Sequence, residues 1–123
     1  MAERLTLPAR LRLRRKRDFD ATYARGRRFG DGLFAVTVTG NDQGAPRLGT
    51  AISVRTAGGA VGRNRLRRII RESFRLNQHS LPPVDLVVSA RNVAIKAPPA
   101  ALHASLAGLW KKIGEQCGTS RSS

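Results

Sequence analysis

Residues 58–75 read GGAVGRNRLRRIIRESFR and decide the fold. At the 100° per residue of an α-helix, the apolar side chains of this segment fall on one stripe. The stripe contains Leu66, Ile69, Ile70, Ser73 and Phe74. Gly58-Gly59 interrupts the chain before the segment. The pattern therefore predicts a helix from about residue 60 to residue 78 that packs its stripe against a sheet.

The opposite face of this helix is basic. It carries Asn64, Arg67, Arg68, Arg71 and Arg75. Within residues 63–75 six arginines accompany one acid, Glu72. Neighbouring like charges repel by about 0.2–0.5 kcal/mol per pair, so a merely solvated face would be slightly destabilised. The pattern favours a surface that binds a polyanion, since phosphate at a helix N-terminus also offsets the positive end of the dipole.

The composition supports the same partner. The chain has 123 residues, and its 23 Lys and Arg against 8 Asp and Glu leave a net charge of +15. This length predicts one domain, and such a charge repels itself unless a polyanion offsets it. Nucleic acid is the first candidate partner and anionic membrane the second.

The segments around the helix predict an α/β fold. A short helix is expected over about 17–25, with Phe19 and Tyr23 on one face. Alternating residues predict strands over 34–39 and 48–54, which we expect to pair antiparallel, and the apolar run 84–90 predicts an interior strand. A last helix begins at Pro98-Pro99. Its core stripe is Leu102, Leu106, Leu109 and Ile113, and Trp110 beside it fits either core or surface.

No catalytic or metal-binding set is visible in the chain. Asp18 and Asp20 would diverge on a helix, and His79 and His103 lie in separate segments without ligand spacing. The single cysteine, Cys117, forms no internal disulfide and fits a reducing cytoplasm. No apolar stretch reaches the ~20 residues of a membrane span, and no signal peptide is expected.

The central segment resembles the signature of the bacterial ribonuclease P protein family. The resemblance rests on Ala60-Val61-Gly62-Arg63-Asn64-Arg65, followed by Arg67-Arg68, Arg71 and Phe74. It extends to Lys16-Arg17-Asp18-Phe19, Arg25-Gly26, Pro46-Arg47-Leu48-Gly49 and Asp85-Leu86-Val87-Val88, and covers about residues 10–113.

The resemblance implies a fold and a domain plan. The fold is a single-domain two-layer α/β sandwich with a mixed four-stranded sheet, about three helices and a left-handed βαβ crossover. Composition adds a basic N-terminal arm over 1–13 and a flexible tail over 114–123 to the family domain, which is expected over 14–113.

The resemblance also implies a function. Such a subunit assists a catalytic RNA in removing the 5′ leader from precursor tRNA. The active site and its Mg²⁺ are expected on the RNA and the substrate, and no catalytic residue or metal is expected on the protein. The protein is expected to be a monomer in the holoenzyme. The residues implied to bind the catalytic RNA are Arg63, Asn64, Arg65, Arg67, Arg68 and Arg71. The residues implied to line the leader-binding cleft are Phe19, Tyr23, Arg14, Arg15, Arg17 and Arg55.

Two departures from the family pattern weaken the leader cleft. Thr56 stands where a basic residue is usual, and Thr37 where an aromatic one is frequent.

Two other functions remain open. The first is a non-enzymatic RNA-binding protein of the ribosomal type, which would share the charge. The second is a helix-turn-helix DNA binder. This function is disfavoured because no helix closely precedes the basic helix in the sequence.

Overall fold

The computed structural model describes residues 11–13, 15–53 and 59–118. Its helices are α1 (Lys16–Arg25), α2 (Ala60–Asn77) and α3 (Pro99–Ile113). Its strands are β1 (Arg27–Gly30), β2 (Phe34–Gly40), β3 (Arg47–Thr50) and β4 (Val84–Ala90). Short 3₁₀ turns occupy Gln78–Ser80 and Asn92–Lys96. The prediction of an α/β fold with a mixed four-stranded sheet and three helices is confirmed.

The strand order corrects the predicted pairing. The sheet runs β1-β2-β4-β3, so β2 and β3 are not neighbours. β4 pairs antiparallel with β2 and parallel with β3. The apolar run of β4 is buried on both faces and lies between two strands, as predicted for an interior strand, but an alternation pattern does not show which strands are its neighbours. β3 ends at Thr50, earlier than predicted, and Val54 lies outside the described residues.

β1 is the strand that the sequence did not indicate. Its four residues include a single buried one, Phe29, so no alternation announces it. β3, α2 and β4 form the parallel crossover that the resemblance implies. The left hand of that crossover stays a prediction.

The main core lies between the sheet and helices α2 and α3. Both predicted stripes, on α2 and on α3, are buried, as the helical periodicity indicated. Trp110 also belongs to this core, because its ring is 1% exposed and meets the ring of Phe74 edge-on at 6.0 Å. Its Nε1 donates a 2.8 Å hydrogen bond to Oγ of Ser73. This bond satisfies a buried polar group on the apolar stripe of α2.

Helix α1 packs against the opposite face of the sheet. A Cβ atom built on Gly49 of β3 would lie 2.7 Å from Cζ of Phe19 and 3.0 Å from Cβ of Leu13. Gly49 follows Leu48, which belongs to the main core, and successive side chains of a strand point to opposite faces. The absence of a side chain at Gly49 therefore lets α1 approach the sheet closely.

Residues 11–13 belong to the folded body, which corrects the predicted end of the arm at residue 13. Leu11 and Leu13 are buried, and the backbone N–H of Leu13 donates to the carbonyl of Leu48 at 2.8 Å. Arg12 forms a parallel bridge with Leu48. Arg12 and Leu13 lie beside β3 and extend the sheet at this edge, while Leu11 packs in the main core. The rest of the arm, residues 1–10, lies outside the described residues.

The beginning of the predicted flexible tail is also structured. Gly114–Gly118 form a π-helical turn directly after α3, and Cys117 packs against the main core. Nη2 of Arg27 donates to Oε1 of Gln116 and ties this turn to β1. Residues 119–123 lie outside the described residues.

Asp85 joins the two parallel strands. Its carboxylate accepts hydrogen bonds from Nε and Nη2 of Arg47, both at 2.8 Å, and from Nδ2 of Asn41 at 2.7 Å. The side chains of Arg47 and Asp85 are only 19% and 10% exposed. The hydrogen bond with Asp85 is the main cause that raises the pKa of Arg47 above its ordinary value. A bidentate pair of this kind holds β3 in register with β4.

Asp31 stabilises the turn between β1 and β2 and should make folding sensitive to acid. Burial alone would raise the pKa of Asp31, but hydrogen bonds from the Ser105 hydroxyl and from the backbone N–H groups of Phe34 and Leu33 lower it overall. A lowered folded-state pKa gives stability above the unfolded pKa of about 3.9, which is lost as the pH falls through the folded-state value.

We therefore expect Asp31→Asn to reduce the free energy of unfolding at about pH 7 and to reduce its decline towards about pH 3. Urea unfolding at several pH values measures both effects. Asp42→Asn, a change of the same kind in the exposed β2–β3 turn, is the control. An unaltered acid dependence in Asp31→Asn would contradict the assignment.

Candidate nucleic-acid interface

The basic face of α2 forms a concave surface. Asn64, Arg67, Arg68, Arg71 and Glu72 line a depression of about 330 Å³ on this helix. Asn64 and Arg68 are exposed, whereas Arg67 and Arg71 are half-buried. Guanidinium groups bind phosphate in a planar, bidentate manner. Three of them around one depression give a surface suited to a folded polyanion.

The single acid of α2 lies at the margin of this surface. Oε1 of Glu72 is 3.5 Å from Nε2 of His103 on α3. At 100° per residue, Glu72 falls between Arg65 and Arg68, while Arg71 and Arg67 fall about 100° and about 140° away from it. The carboxylate therefore sits beside α3 and leaves the arginine-rich side of the helix strongly positive.

Arg65 has partners within the protein. Its Nη1 donates to the carbonyl of Ile95 at 3.3 Å, and its Nη2 donates to the carbonyl of Ala97 at 3.2 Å. Both carbonyls belong to the segment between β4 and α3. Arg65 was implied to bind the catalytic RNA, but its terminal nitrogens are hydrogen-bonded to the loop between β4 and α3. The sequence could not show this, because the loop lies thirty residues further along the chain.

Two other arginines of α2 have buried donors without partners. The Nε atoms of Arg63 and Arg75 are buried and make no hydrogen bond to the described part of the chain. An unpaired buried donor costs about 1–3 kcal/mol. Both side chains are half-buried, so their stems pack on the protein while the helix keeps spare hydrogen-bonding capacity for a ligand.

The residues implied to line the leader-binding cleft are only partly brought together. Phe19 is half-buried against Gly49, whereas Tyr23, one turn later, is 51% exposed. Arg15, directly before α1, and Arg17, in its first turn, are both exposed. Arg14 and Arg55 lie outside the described residues, as does Thr56. Phe19 therefore packs against the sheet at Gly49, whereas the ring of Tyr23 is accessible to a ligand.

Thr37 occupies the sheet beneath α1. It is 6% exposed, and its methyl group lies so close to Gly26 that a side chain there would collide with it. A larger residue at this position would push α1 away from β2. Threonine, at a position where the family frequently has an aromatic residue, thus allows α1 to pack closely on the sheet.

Arg12 is the site residue that the sequence analysis missed. It lines a cavity of about 160 Å³ together with Phe19 and Arg71. The prediction placed Arg12 in the arm and Arg71 on the helix face, yet the fold brings both beside α1. The two leucines that flank Arg12 were the available signal, since both are buried and hold Arg12 on the folded body.

The described residues offer no cluster for a metal ion. In the ranges 11–13, 15–53 and 59–118, His, Cys, Asp and Glu side chains nowhere gather in threes at a distance suited to a metal. Every helix in those ranges is too short or too polar to cross a membrane.

Known proteins are similar to this chain in sequence and in fold. A family model described as Ribonuclease P matches residues 7–114. The chain is 43% identical over 79 residues to the ribonuclease P protein component of Idiomarina loihiensis, an alignment that covers 64% of this chain and 63% of that one. It is 35% identical over 120 residues to the component of Photorhabdus laumondii, with 98% of each covered. The structure of the RNase P protein from Thermotoga maritima matches with a TM-score of 0.76 and 31% identity, covering 83% of this chain and 96% of that one.

Proposed function

The chain belongs to the ribonuclease P protein family, and from this premise we propose that its helix α2 docks on a catalytic RNA while the cleft beside α1 receives the 5′ leader of precursor tRNA. As a family member it is the RNA-binding protein component of an endoribonuclease that processes tRNA. The observation that carries the docking proposal is the shared depression lined by Arg67, Arg68 and Arg71.

The contribution of the chain to the reaction is electrostatic and positional. Two RNA molecules that approach each other repel, and a net charge of +15 offsets part of that repulsion. Each phosphate neutralised by an arginine also releases condensed counterions, so assembly should weaken steeply with salt. Arg63, Asn64, Arg67, Arg68 and Arg71 are the proposed contacts with the catalytic RNA. Arg65 supports them by holding the segment that precedes α3.

The described residues do not fit a Mg²⁺ site, since they contain no cluster of carboxylates. We place this ion, with the hydrolysis it assists, on the catalytic RNA and the substrate phosphates. The chain itself binds and orients. We further propose that one copy acts in each holoenzyme, in the cytoplasm.

Tyr23 is the proposed stacking partner for a leader base. Its ring is half exposed on α1, whereas that of Phe19 packs on Gly49. Stacking of a base on an aromatic ring contributes about 1–3 kcal/mol. Arg15 and Arg17, exposed at the N-terminal end of α1, supply positive charge for the leader backbone, and Arg14 and Arg55 complete the proposed set.

Reconstitution tests the function. We expect the chain, mixed with its cognate catalytic RNA, to cleave precursor tRNA at low Mg²⁺ faster than the RNA alone. Tyr23→Ala should reduce affinity for precursor tRNA by about 5- to 150-fold and leave affinity for mature tRNA unchanged. Tyr23→Phe, which keeps the ring, is the matched control.

The outcomes separate the functions. Absence of stimulation at every salt and Mg²⁺ concentration would overturn the proposal and favour an RNA-binding protein of the ribosomal type. Equal losses for precursor and mature tRNA in Tyr23→Ala would remove Tyr23 from the leader cleft and leave the docking role of α2 intact.

A further inference from the structure

A small cavity connects the basic face of α2 with the aromatic face of α1. Its lining is formed by Arg12, Leu13, Phe19, Leu48, Gly49, Thr50 and Arg71. These residues come from the N-terminal segment, α1, β3 and α2. At about 30 Å³ per water molecule, its volume of about 160 Å³ admits a group the size of a hydrated phosphate.

The cavity carries positive charge without a compensating acid. Its two charged side chains among the described residues are both arginines, and none of those residues contributes a carboxylate. Nε of Arg12 is buried and makes no hydrogen bond within the described part of the chain. Burial first, and then the charges of Arg12 and Arg67, lower the pKa of Arg71. Two guanidinium groups thus face one small space at a cost in repulsion.

The position of Arg12 is set by the fold. The bridge between Arg12 and Leu48 and the hydrogen bond from Leu13 to Leu48 fix its backbone at the β3 edge. Its side chain is half-buried and lines the cavity together with Arg71 of α2. A preorganised pair of this kind binds an anion without first ordering long side chains.

We propose that Arg12 and Arg71 bind one RNA phosphodiester group between them, at the junction of the docking surface and the leader-binding cleft. This inference rests on the proposed function and adds a shared phosphate site to it. Guanidinium forks match phosphate oxygens, and a single anion would relieve the repulsion between both arginines. The apolar part of the cavity, with Phe19, suits the sugar or base next to that phosphate.

The test is a double-mutant cycle on the salt dependence of binding. Arg12→Gln, Arg71→Gln and the double variant are compared with the wild-type chain for binding to the catalytic RNA and, in the holoenzyme, to precursor and mature tRNA. A phosphate contact contributes about 0.7–0.9 to the slope of log K against log salt. We expect each single variant to lose about one such unit, and the double variant to lose no more than a single variant, because both side chains hold the same phosphate.

The RNA whose binding changes identifies the source of the phosphate. A slope change with catalytic RNA places the phosphate there, and a change confined to precursor tRNA places it in the leader. Lys112→Gln, which removes one charge from the exposed end of α3, is the matched control and should keep the wild-type slope. A loss of about two units in the double variant, or an equal loss in Lys112→Gln, would overturn the shared site.

A second measurement does not depend on RNA. Inorganic phosphate should raise the melting temperature of the wild-type chain more than chloride does at equal ionic strength, and the double variant should lose this difference. If the double variant gains as much from phosphate as Lys112→Gln does, the site is refuted. Failure of the proposed function would look different, since the wild-type chain would then fail to stimulate cleavage at all.

Discussion

Replacing Arg67 and Arg68 together by glutamine should weaken binding to the catalytic RNA by about 30- to 140-fold. Both side chains line the depression on α2, and a charge-assisted contact at such a surface contributes about 1–1.5 kcal/mol. Since each lost phosphate contact also removes about 0.7–0.9 from the salt slope, the double variant should be less sensitive to salt by nearly two units. Filter binding or fluorescence titration at several salt concentrations measures both quantities.

Arg65→Gln is the matched control for this experiment. It removes an arginine from the same helix, but one that donates to the carbonyls of Ile95 and Ala97. We expect it to lower the melting temperature and to leave the salt slope nearly unchanged. If Arg65→Gln flattened the slope as much as the double variant does, the division of α2 into a docking side and a loop-holding side would be wrong.

Asp85→Ala should destabilise the fold by about 3 kcal/mol, the largest effect that we expect from a single substitution. Removing one partner of a mostly buried ion pair leaves the other charge uncompensated, and here it also leaves the Asn41 amide without its carboxylate. The carboxylate also ties β3 to β4, because Arg47 and Asp85 are directly paired across the two strands. Urea or thermal unfolding followed by circular dichroism measures the loss.

Two variants test the cause of this destabilisation. Asp20→Ala removes an aspartate from the exposed pair with Lys16, whose side chains are 61% and 88% exposed, and should change stability by less than about 1 kcal/mol. Adding Arg47→Leu to an Asp85→Leu variant should restore much of the stability, because no unpaired charge then remains. A double variant that is as unstable as Asp85→Leu alone would show that the loss comes from packing and not from charge.

The leader-binding cleft shows why aromatic residues at helical spacing are ambiguous in sequence. Phe19 and Tyr23 lie four residues apart and share one face of α1, as predicted, yet only Tyr23 is widely exposed. The difference arises from Gly49, which lies on a strand far along the chain and admits the ring of Phe19. A residue without a side chain on a distant strand thus decides which aromatic ring packs and which remains accessible.

The sequence by itself determined the helices, their buried stripes and the family. A helix repeats every 3.6 residues within one segment, so the apolar stripes of α2 and α3 could be read locally, and so could the arginine-rich face of α2. The periodicity could not assign partners to strands, since alternation marks only which side of a strand is buried. The order β1-β2-β4-β3 and the short β1 therefore came from the tertiary structure.

The tertiary structure alone decided which arginines face solvent, protein or one another. Arg65 and Arg67 are the same residue type and lie two positions apart on α2. Only the fold brings the guanidinium group of Arg65 to the carbonyls of the loop before α3. Arg12 and Arg71 are far apart in sequence. They line one cavity because the bridge between Arg12 and Leu48 places Arg12 at the β3 edge, near α2. Long-range packing sets these neighbours, and no local pattern encodes the distance between two side chains on different elements.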